Sequence, residues 1–293
     1  MINKNLVLRD KSIQHALFMF VFIFLLLISP NVYARQLETE IVSIPVNVGG
    51  SIFHDDARII KPEGDGPFPL IVLTHGTPRS AEERTKTNVA TYFKNQSEYF
   101  ANKGYAVIFV VRRGFGTSTA PYAENPLFAN GTRNYTKAGL EAAKDLKSAI
   151  DYMKNQPYVD ATRIILMGQS TGGHSVTAAG SLGISGVIGV INFAGGRGSY
   201  APDLVRDENN LIASVAHYGK TSRIPTLWLY SINDHYFRPD LAQAMYKAYT
   251  DNGGLAEFVT LPPYKEDGHE SFVGNRSAWA PYVDQFLEDL KRK

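Results

Sequence analysis

Short apolar runs rich in β-branched residues alternate along this chain with longer segments of helical period, and this alternation restricts the fold more than any other feature of the sequence. Residues 163–168 and 187–193 are typical of buried strands, whereas residues 137–155 carry apolar side chains at helical spacing. Strands that alternate with helices indicate a mostly parallel central sheet with helices on both faces. We therefore predict an α/β fold whose ligands bind beyond the carboxyl ends of the strands.

The same criteria give the other predicted elements. The first two strands flank Asn47-Val48-Gly49-Gly50, a turn sequence that indicates an antiparallel N-terminal hairpin. No linker, repeat or charge block interrupts the chain after the first 34 residues, so we predict one domain over residues 35–293. The predicted strands are 41–46, 51–60, 69–74, 105–111, 226–231 and 256–261, and the further helices are 88–103, 172–179, 239–252 and 279–291.

The N-terminal segment has the composition of a secretory signal peptide. Three basic residues within positions 4–11 precede an unbroken apolar run over residues 16–28, and Val32-Tyr33-Ala34 follows. The apolar run is shorter than the about 20 residues that cross a bilayer. We predict that residues 1–34 are a cleaved signal peptide and that the protein is secreted or periplasmic. The alternative is an uncleaved N-terminal anchor, which would be its only contact with a membrane.

Composition excludes several classes of function. The chain contains no cysteine, which rules out disulfides, thiolate metal sites and a cysteine nucleophile. Without the first 34 residues its basic and acidic side chains balance, so no charge excess favours nucleic acid. No phosphate-binding glycine motif follows a strand. His54, Asp55 and Asp56 have metal-capable side chains but no second cluster, and we predict a solvated strand edge there. We predict no metal and no organic cofactor.

A nucleophile motif follows one of the predicted strands. Residues 163–167 run into Gly168-Gln169-Ser170-Thr171-Gly172, which matches G-x-S-x-G between a strand and a helix. The small residues matter because a nucleophile on a sharp turn needs neighbours that let the next helix pack closely. We predict Ser170 as the nucleophile, exposed above the sheet.

A serine hydroxyl needs a base, and the base needs an acid that orients it. In this architecture the expected chain order is serine, then aspartate or glutamate, then histidine. Asp234 follows the strand 226–231, and His269 lies in the loop before the last helix, so we predict them as orienting acid and base. Glu266 and Asp267 are alternative orienting acids. His174 and His235 are predicted to pack or to form hydrogen bonds outside the catalytic set.

Acyl transfer also needs donors for the negative charge that develops on the carbonyl oxygen. The strand 69–74 runs into His75-Gly76-Thr77-Pro78, the loop from which one donor should come. We predict an oxyanion hole formed by the backbone amides of Thr77 and Thr171, with the amide of Gly76 as the alternative to Thr77.

Substrate contacts are predicted in two further places. Arg197 follows the strand 187–193 and is either a bidentate ligand for a substrate carboxylate or an ordinary surface arginine. Residues 200–223 form a predicted lid, with Tyr200 as a substrate contact. Other predicted lining residues of the lid are Leu204, Leu211 and Tyr218. The turn 112–118 is predicted to brace the loops through an arginine, or to contact substrate.

These residues together resemble the α/β-hydrolase fold and, within it, the dienelactone hydrolase family and related serine esterases. The resemblance covers roughly residues 40–290 and rests on the His75-Gly76 loop, the turn 113–116, the elbow at Ser170, Asp234 and His269. The chain departs from the pattern of these families in two ways. Dienelactone hydrolase has a cysteine where Ser170 stands, so its lactone substrate is not carried over. Related peptidases have an aspartate where this chain has Val111.

The resulting prediction is an exported serine hydrolase that cleaves a small ester or lactone through an acyl-enzyme. Activity is expected to rise with pH around 6 to 7, because the base must be neutral and histidine titrates near ~6.5. A serine peptidase or an acyltransferase could use the same three residues. The alternative from another class is a non-catalytic hydrolase-fold protein that binds a ligand.

Overall fold

A computed structural model of the chain describes residues 36–126 and 131–292. The predicted signal peptide, residues 1–34, lies outside the described residues. The predicted hairpin is present: strands β1 (Leu37–Val48) and β2 (Ser51–Pro62) pair antiparallel along their whole lengths. Both strands are longer than predicted because β1 lies at the sheet edge, where residues 38–41 pair with β2 although all four are exposed and show no alternation of buried and exposed positions.

The strands form one main sheet. In chain order the further strands are β3 (Phe68–Thr74), β4 (Ala106–Val110), β5 (Val159–Gln169), β6 (Val187–Phe193), β7 (Ser199–Ala201), β8 (Leu204–Val205), β9 (Thr226–Ser231) and β10 (Ala256–Leu261). Eight of the strands in the described residues join in the order β1-β2-β4-β3-β5-β6-β9-β10, with every pair from β4 to β10 parallel. This arrangement confirms the predicted, mostly parallel sheet.

Helices cover both faces of this sheet. They are α1 (Ala81–Arg84), α2 (Lys94–Asn102), α3 (Tyr135–Lys154), α4 (Thr171–Gly180), α5 (Glu208–Gly219), α6 (Pro239–Asp251), α7 (Ser271–Gly274) and α8 (Arg276–Lys291). One hydrophobic core lies under α3 to α6, and a second core lies under α2 and α8. Leu146, Ile150 and Met153 of α3 are fully buried, as their helical spacing predicts.

Three sequence-based predictions differ from the structure. Residues 88–93 are turns before α2, because Phe93 adopts a left-handed φ of 52° and the Asn88 side chain accepts the Ala90 amide at 2.8 Å. The predicted lid residues Leu211 and Tyr218 are fully buried in α5, where they pack into the core. Asp55 is fully buried rather than solvated, and this burial raises its pKa to about 8.

The fold brings the predicted site residues to one end of the sheet. The strands β3, β5, β9 and β10 are parallel, so the loops that follow them meet at the same edge. Within residues 36–126 and 131–292, no helix is long and apolar enough to cross a bilayer, and no three His, Asp or Glu side chains cluster as metal ligands.

Candidate active site

Ser170 occupies a strained turn between β5 and α4. Its φ of 59° and ψ of −125° lie outside the regions that residues with side chains favour. The turn depends on small neighbours: a Cβ on Gly172 would lie 2.6 Å from the carbonyl oxygen of His75, and one on Gly76 would lie 2.9 Å from the Cβ of Ser170. The glycines therefore let the loop after β3 approach the serine closely.

Asp234 and His269 form a buried pair beside this turn. Asp234 Oδ2 lies 3.1 Å from His269 Nδ1, and Asp234 Oδ1 accepts the amides of Tyr236 and Phe237, each at 2.8 Å. These amides hold the carboxylate in place, with one oxygen left for the imidazole. The alternative acid, Asp267, accepts the backbone amide of His269 at 2.9 Å, so it holds the main chain rather than the ring.

The charge of Asp234 controls the titration of His269. Burial disfavours the imidazolium, but the Asp234 charge and hydrogen bond outweigh burial and raise the pKa of His269 above its ordinary 6.5. The ring of Tyr236 stacks on His269 at a centroid distance of 4.0 Å, and the guanidinium of Arg79 lies 4.0 Å from the Tyr236 ring centroid. The stacking on Tyr236 therefore fixes the plane of the His269 ring, and the contact with Asp234 fixes the direction of its Nδ1.

Ser170 and His269 line the same cavity, of about 400 Å³, which we call the main cavity; its wall includes Tyr92 and Glu270. Within the described part of the chain, neither Ser170 Oγ nor His269 Nε2 has a hydrogen-bond partner. Both atoms are thus available to a bound molecule. A bond between them commonly tightens only when substrate is present.

The two predicted oxyanion residues lie side by side. Thr77 Oγ1 and Thr171 Oγ1 are 2.7 Å apart, which places the loop after β3 against the start of α4. Thr171 is the first residue of α4, where a backbone amide has no acceptor within its helix. The arrangement leaves amides next to Ser170 that can donate to a ligand oxygen.

A buried arginine supports this loop from below, as the predicted bracing role of the turn 112–118 requires. Arg112 donates to the carbonyl oxygen of His75 at 2.6 Å and to Thr171 Oγ1 at 3.2 Å. Arg112 also donates to Thr74 Oγ1 at 2.7 Å and to Glu124, which accepts from Arg197 as well, at 2.7 Å. Burial raises the pKa of Glu124, but the two arginines outweigh burial and lower it to about 2.

Sequence reasoning missed Glu124. It stands alone in the polar segment Tyr122-Ala123-Glu124-Asn125, which has no periodicity or motif that marks a buried acid. Only its contacts with two arginines from distant parts of the chain reveal it.

The predicted substrate contacts are found in different settings. Arg197 is only 3% exposed, and it donates to His174 Nδ1 and Ser175 Oγ as well as to Glu124, so it is not an ordinary surface arginine. Tyr200 is exposed beside Arg206, and among the described residues it lines neither of the cavities next to Ser170. Substrate contact by either residue stays a prediction.

A second cavity, of about 210 Å³, also adjoins Ser170. We call it the arginine pocket, because Arg79, Arg84 and Arg197 line it together with Tyr122 and Glu124. The arginine pocket shares Ser170 with the main cavity, and also Thr77, Pro78, Arg79 and Tyr236, so a molecule bound to the serine has access to both spaces. His269 lines the main cavity but not the arginine pocket.

Comparison with known proteins identifies related folds. Residues 71–215 match the family model described as serine aminopeptidase, S33. A putative dipeptidyl aminopeptidase IV from Bacteroides ovatus superposes with a TM-score of 0.66 at 19% identity, over 88% of this chain and 36% of that one. An acylaminoacyl peptidase from Pyrococcus horikoshii gives 0.64 at 22%, over 89% and 42%. This chain thus spans less than half the length of these two proteins.

A protein of comparable length shares the fold as well. A putative dienelactone hydrolase from Klebsiella pneumoniae superposes with a TM-score of 0.58 at 14% identity, over 87% of this chain and all of that one. The family match indicates a hydrolase, and the strand order with its antiparallel β1–β2 hairpin agrees with these neighbours. The chain has the α/β-hydrolase fold.

Proposed function

We propose that the protein is a serine hydrolase that cleaves a small ester through an acyl-enzyme. The observation that carries the proposal is the combination of a strained Ser170, which is only 6% exposed rather than exposed as predicted but lines the main cavity, with a buried His269–Asp234 pair whose histidine lines the same cavity. A structural serine has no need of a left-handed backbone, and a structural histidine has no need of an orienting carboxylate beside an open cavity.

In the proposed reaction Ser170 Oγ attacks the ester carbonyl and its proton passes to His269 Nε2. The amides of Thr77 and Thr171 stabilise the tetrahedral oxyanion, and His269 then protonates the leaving alcohol. Water attacks the acyl-enzyme by the same route in reverse, with His269 as base. Asp234 keeps the Nδ1 proton on His269, so that Nε2 is free to accept.

Two fold neighbours, a putative dienelactone hydrolase and an esterase, support an ester as substrate. The chain matches all of the putative dienelactone hydrolase, and it matches 90% of an esterase from Pyrococcus furiosus at a TM-score of 0.57 and 17% identity over 86% of its own length. The second candidate is an aminopeptidase, favoured by the description of the matching family model.

A fluorophosphonate probe tests the nucleophile. We expect the wild-type protein to be labelled and Ser170→Ala to remain unlabelled, whereas the matched control Ser277→Ala, on α8, labels like the wild type. An unlabelled wild type, or equal labelling of Ser170→Ala, would overturn the proposal.

A substrate panel tests the reaction. We expect 4-nitrophenyl esters of short acids to be cleaved faster than aminoacyl 4-nitroanilides and lactones. Preference for the anilides would favour the aminopeptidase. We also propose that the protein is exported. N-terminal sequencing of the protein recovered outside the cytoplasm should then give a sequence that begins after Ala34.

A further inference from the structure

The arginine pocket carries an excess of positive charge. The guanidinium of Arg84 lies 4.1 Å from the ring centroid of Tyr122, and that of Arg79 donates to Ser199 Oγ at 3.0 Å. Neither arginine has a carboxylate partner within residues 36–126 and 131–292. Both therefore present charge to the pocket without an internal counterion.

Glu124 is the one carboxylate among the described residues of the pocket wall, and it does not offset this charge. Glu124 is fully buried and already binds Arg112 and Arg197, so its negative charge is matched by those two guanidiniums. The balance of the lining is positive.

The described side chains of the pocket also have an excess of unpaired hydrogen-bond donors. The hydroxyl of Tyr122 donates to no described residue, and each guanidinium retains N–H groups that no described acceptor satisfies. A group that fills this space must supply acceptors and negative charge. A carboxylate does both, and its planar oxygens match the guanidinium fork.

The proposed mechanism decides which part of the substrate enters the arginine pocket. His269 must protonate the leaving alcohol, so the alcohol lies in the main cavity, which His269 lines. The acyl chain then extends from Ser170 into the part of the arginine pocket that lies towards Arg84 and Tyr122, which His269 does not line. At about 210 Å³ the pocket is below the usual range of roughly 300–1,000 Å³ for ligand sites, which favours a short chain.

We propose that the arginine pocket selects short acyl groups that end in a carboxylate, with Arg84 and Arg79 as the groups that bind it. The inference rests on the proposed serine hydrolase function. The substrates are half-esters of short dicarboxylic acids: the ester C–O bond breaks, the Ser170 Oγ–acyl bond forms, and the Oγ proton passes through His269 to the departing alcohol. Hydrolysis by water then releases the dicarboxylate.

The test compares two esters of the same size and shape, one of which carries a terminal negative charge. The full-length protein is assayed with the mono-4-nitrophenyl ester of hexanedioic acid and with its terminal amide, which has the same size and no charge. We expect kcat/KM to be about 10-fold to 100-fold higher for the acid, the range that a hydrogen bond to a charged group supplies. Arg84→Gln and Arg79→Gln each lower this ratio, and Arg84→Glu favours the amide.

The ratio is measured on a single preparation, so partial unfolding of a variant does not change it. The matched control is Arg276→Gln, because Arg276 also lies over a tyrosine ring, at 5.2 Å from Tyr99, but on α8 away from the site. We expect its ratio to equal that of the wild type. Equal kcat/KM values for the two esters in the wild type would overturn the inference and leave the proposed function intact.

A binding measurement separates the two proposals if neither ester is cleaved. Titration calorimetry compares hexanedioate with hexanoate, which lacks the second carboxylate. Tighter binding of hexanedioate that Arg84→Gln abolishes supports the arginine pocket even where Ser170 proves unreactive. Equal binding of the two acids, with no cleavage of either ester, overturns both proposals.

Discussion

Replacing Asp234 by asparagine changes one atom of the site and should change the tautomer of His269. The asparagine Oδ1 can still accept the amides of Tyr236 and Phe237, at 2.8 Å in the wild type, so the side chain keeps its position. Its NH₂ group then faces His269 Nδ1, where the wild-type carboxylate oxygen lies at 3.1 Å. Since an NH₂ group only donates, the ring must accept at Nδ1 and carry its proton on Nε2.

An imidazole with its proton on Nε2 cannot take the proton of Ser170. The same change in triad hydrolases lowers kcat by about 10⁴-fold, and a loss of about 10³- to 10⁴-fold corresponds to roughly 4–5 kcal/mol of transition-state stabilisation. We expect a loss of that size for Asp234→Asn in ester hydrolysis followed by 4-nitrophenolate release. Stability should change little, because two of the three hydrogen bonds of this side chain persist.

Asp267→Asn is the matched control, since it makes the same chemical change two residues from His269. Its Oδ1 accepts the backbone amide of His269, which asparagine can also do, so we expect less than about a tenfold loss by the same reasoning about acceptors. If Asp234→Asn kept kcat within tenfold of the wild type, or if Asp267→Asn were equally damaging, Asp234 would not orient the base.

Three further outcomes are expected. The value of kcat/KM should rise with pH, with a midpoint above 6.5, because Asp234 raises the pKa of His269 and only the neutral ring accepts a proton. A midpoint at or below 6.5 in initial-rate assays would contradict this. Gly172→Ala should lower the free energy of unfolding in urea by about 1–3 kcal/mol, since its Cβ would meet backbone oxygen at 2.6 Å, and a midpoint unchanged from the wild type would contradict the close packing. Glu124→Gln should cost about 3–5 kcal/mol at neutral pH because two buried guanidiniums lose their counterion. The pKa of Glu124 falls from 4.5 to about 2 on folding, so its contribution is present above pH 4.5 and lost as the pH falls towards 2; a variant as stable as the wild type at pH 7 would refute the role.

The sequence by itself determined the fold class and the order of the predicted catalytic residues. Strand and helix periods are local properties, and they were sufficient to predict the parallel sheet; the G-x-S-x-G motif over residues 168–172, which is also local, predicted the sharp turn at Ser170. The positions of Asp234 and His269 after their strands follow from the same periods, because the carboxyl ends of parallel strands meet at one edge.

Only the tertiary structure decided what surrounds these residues. Glu124 joins Arg112 and Arg197, which lie 12 and 73 positions away in the chain, and no local pattern encodes such a contact. The burial of Leu211 and Tyr218, which the sequence had suggested as lid residues, depends likewise on where α5 packs. The charge of the arginine pocket was hidden for the same reason: whether an arginine is free or neutralised depends on distances through space, which the folded chain sets and the order of residues does not display.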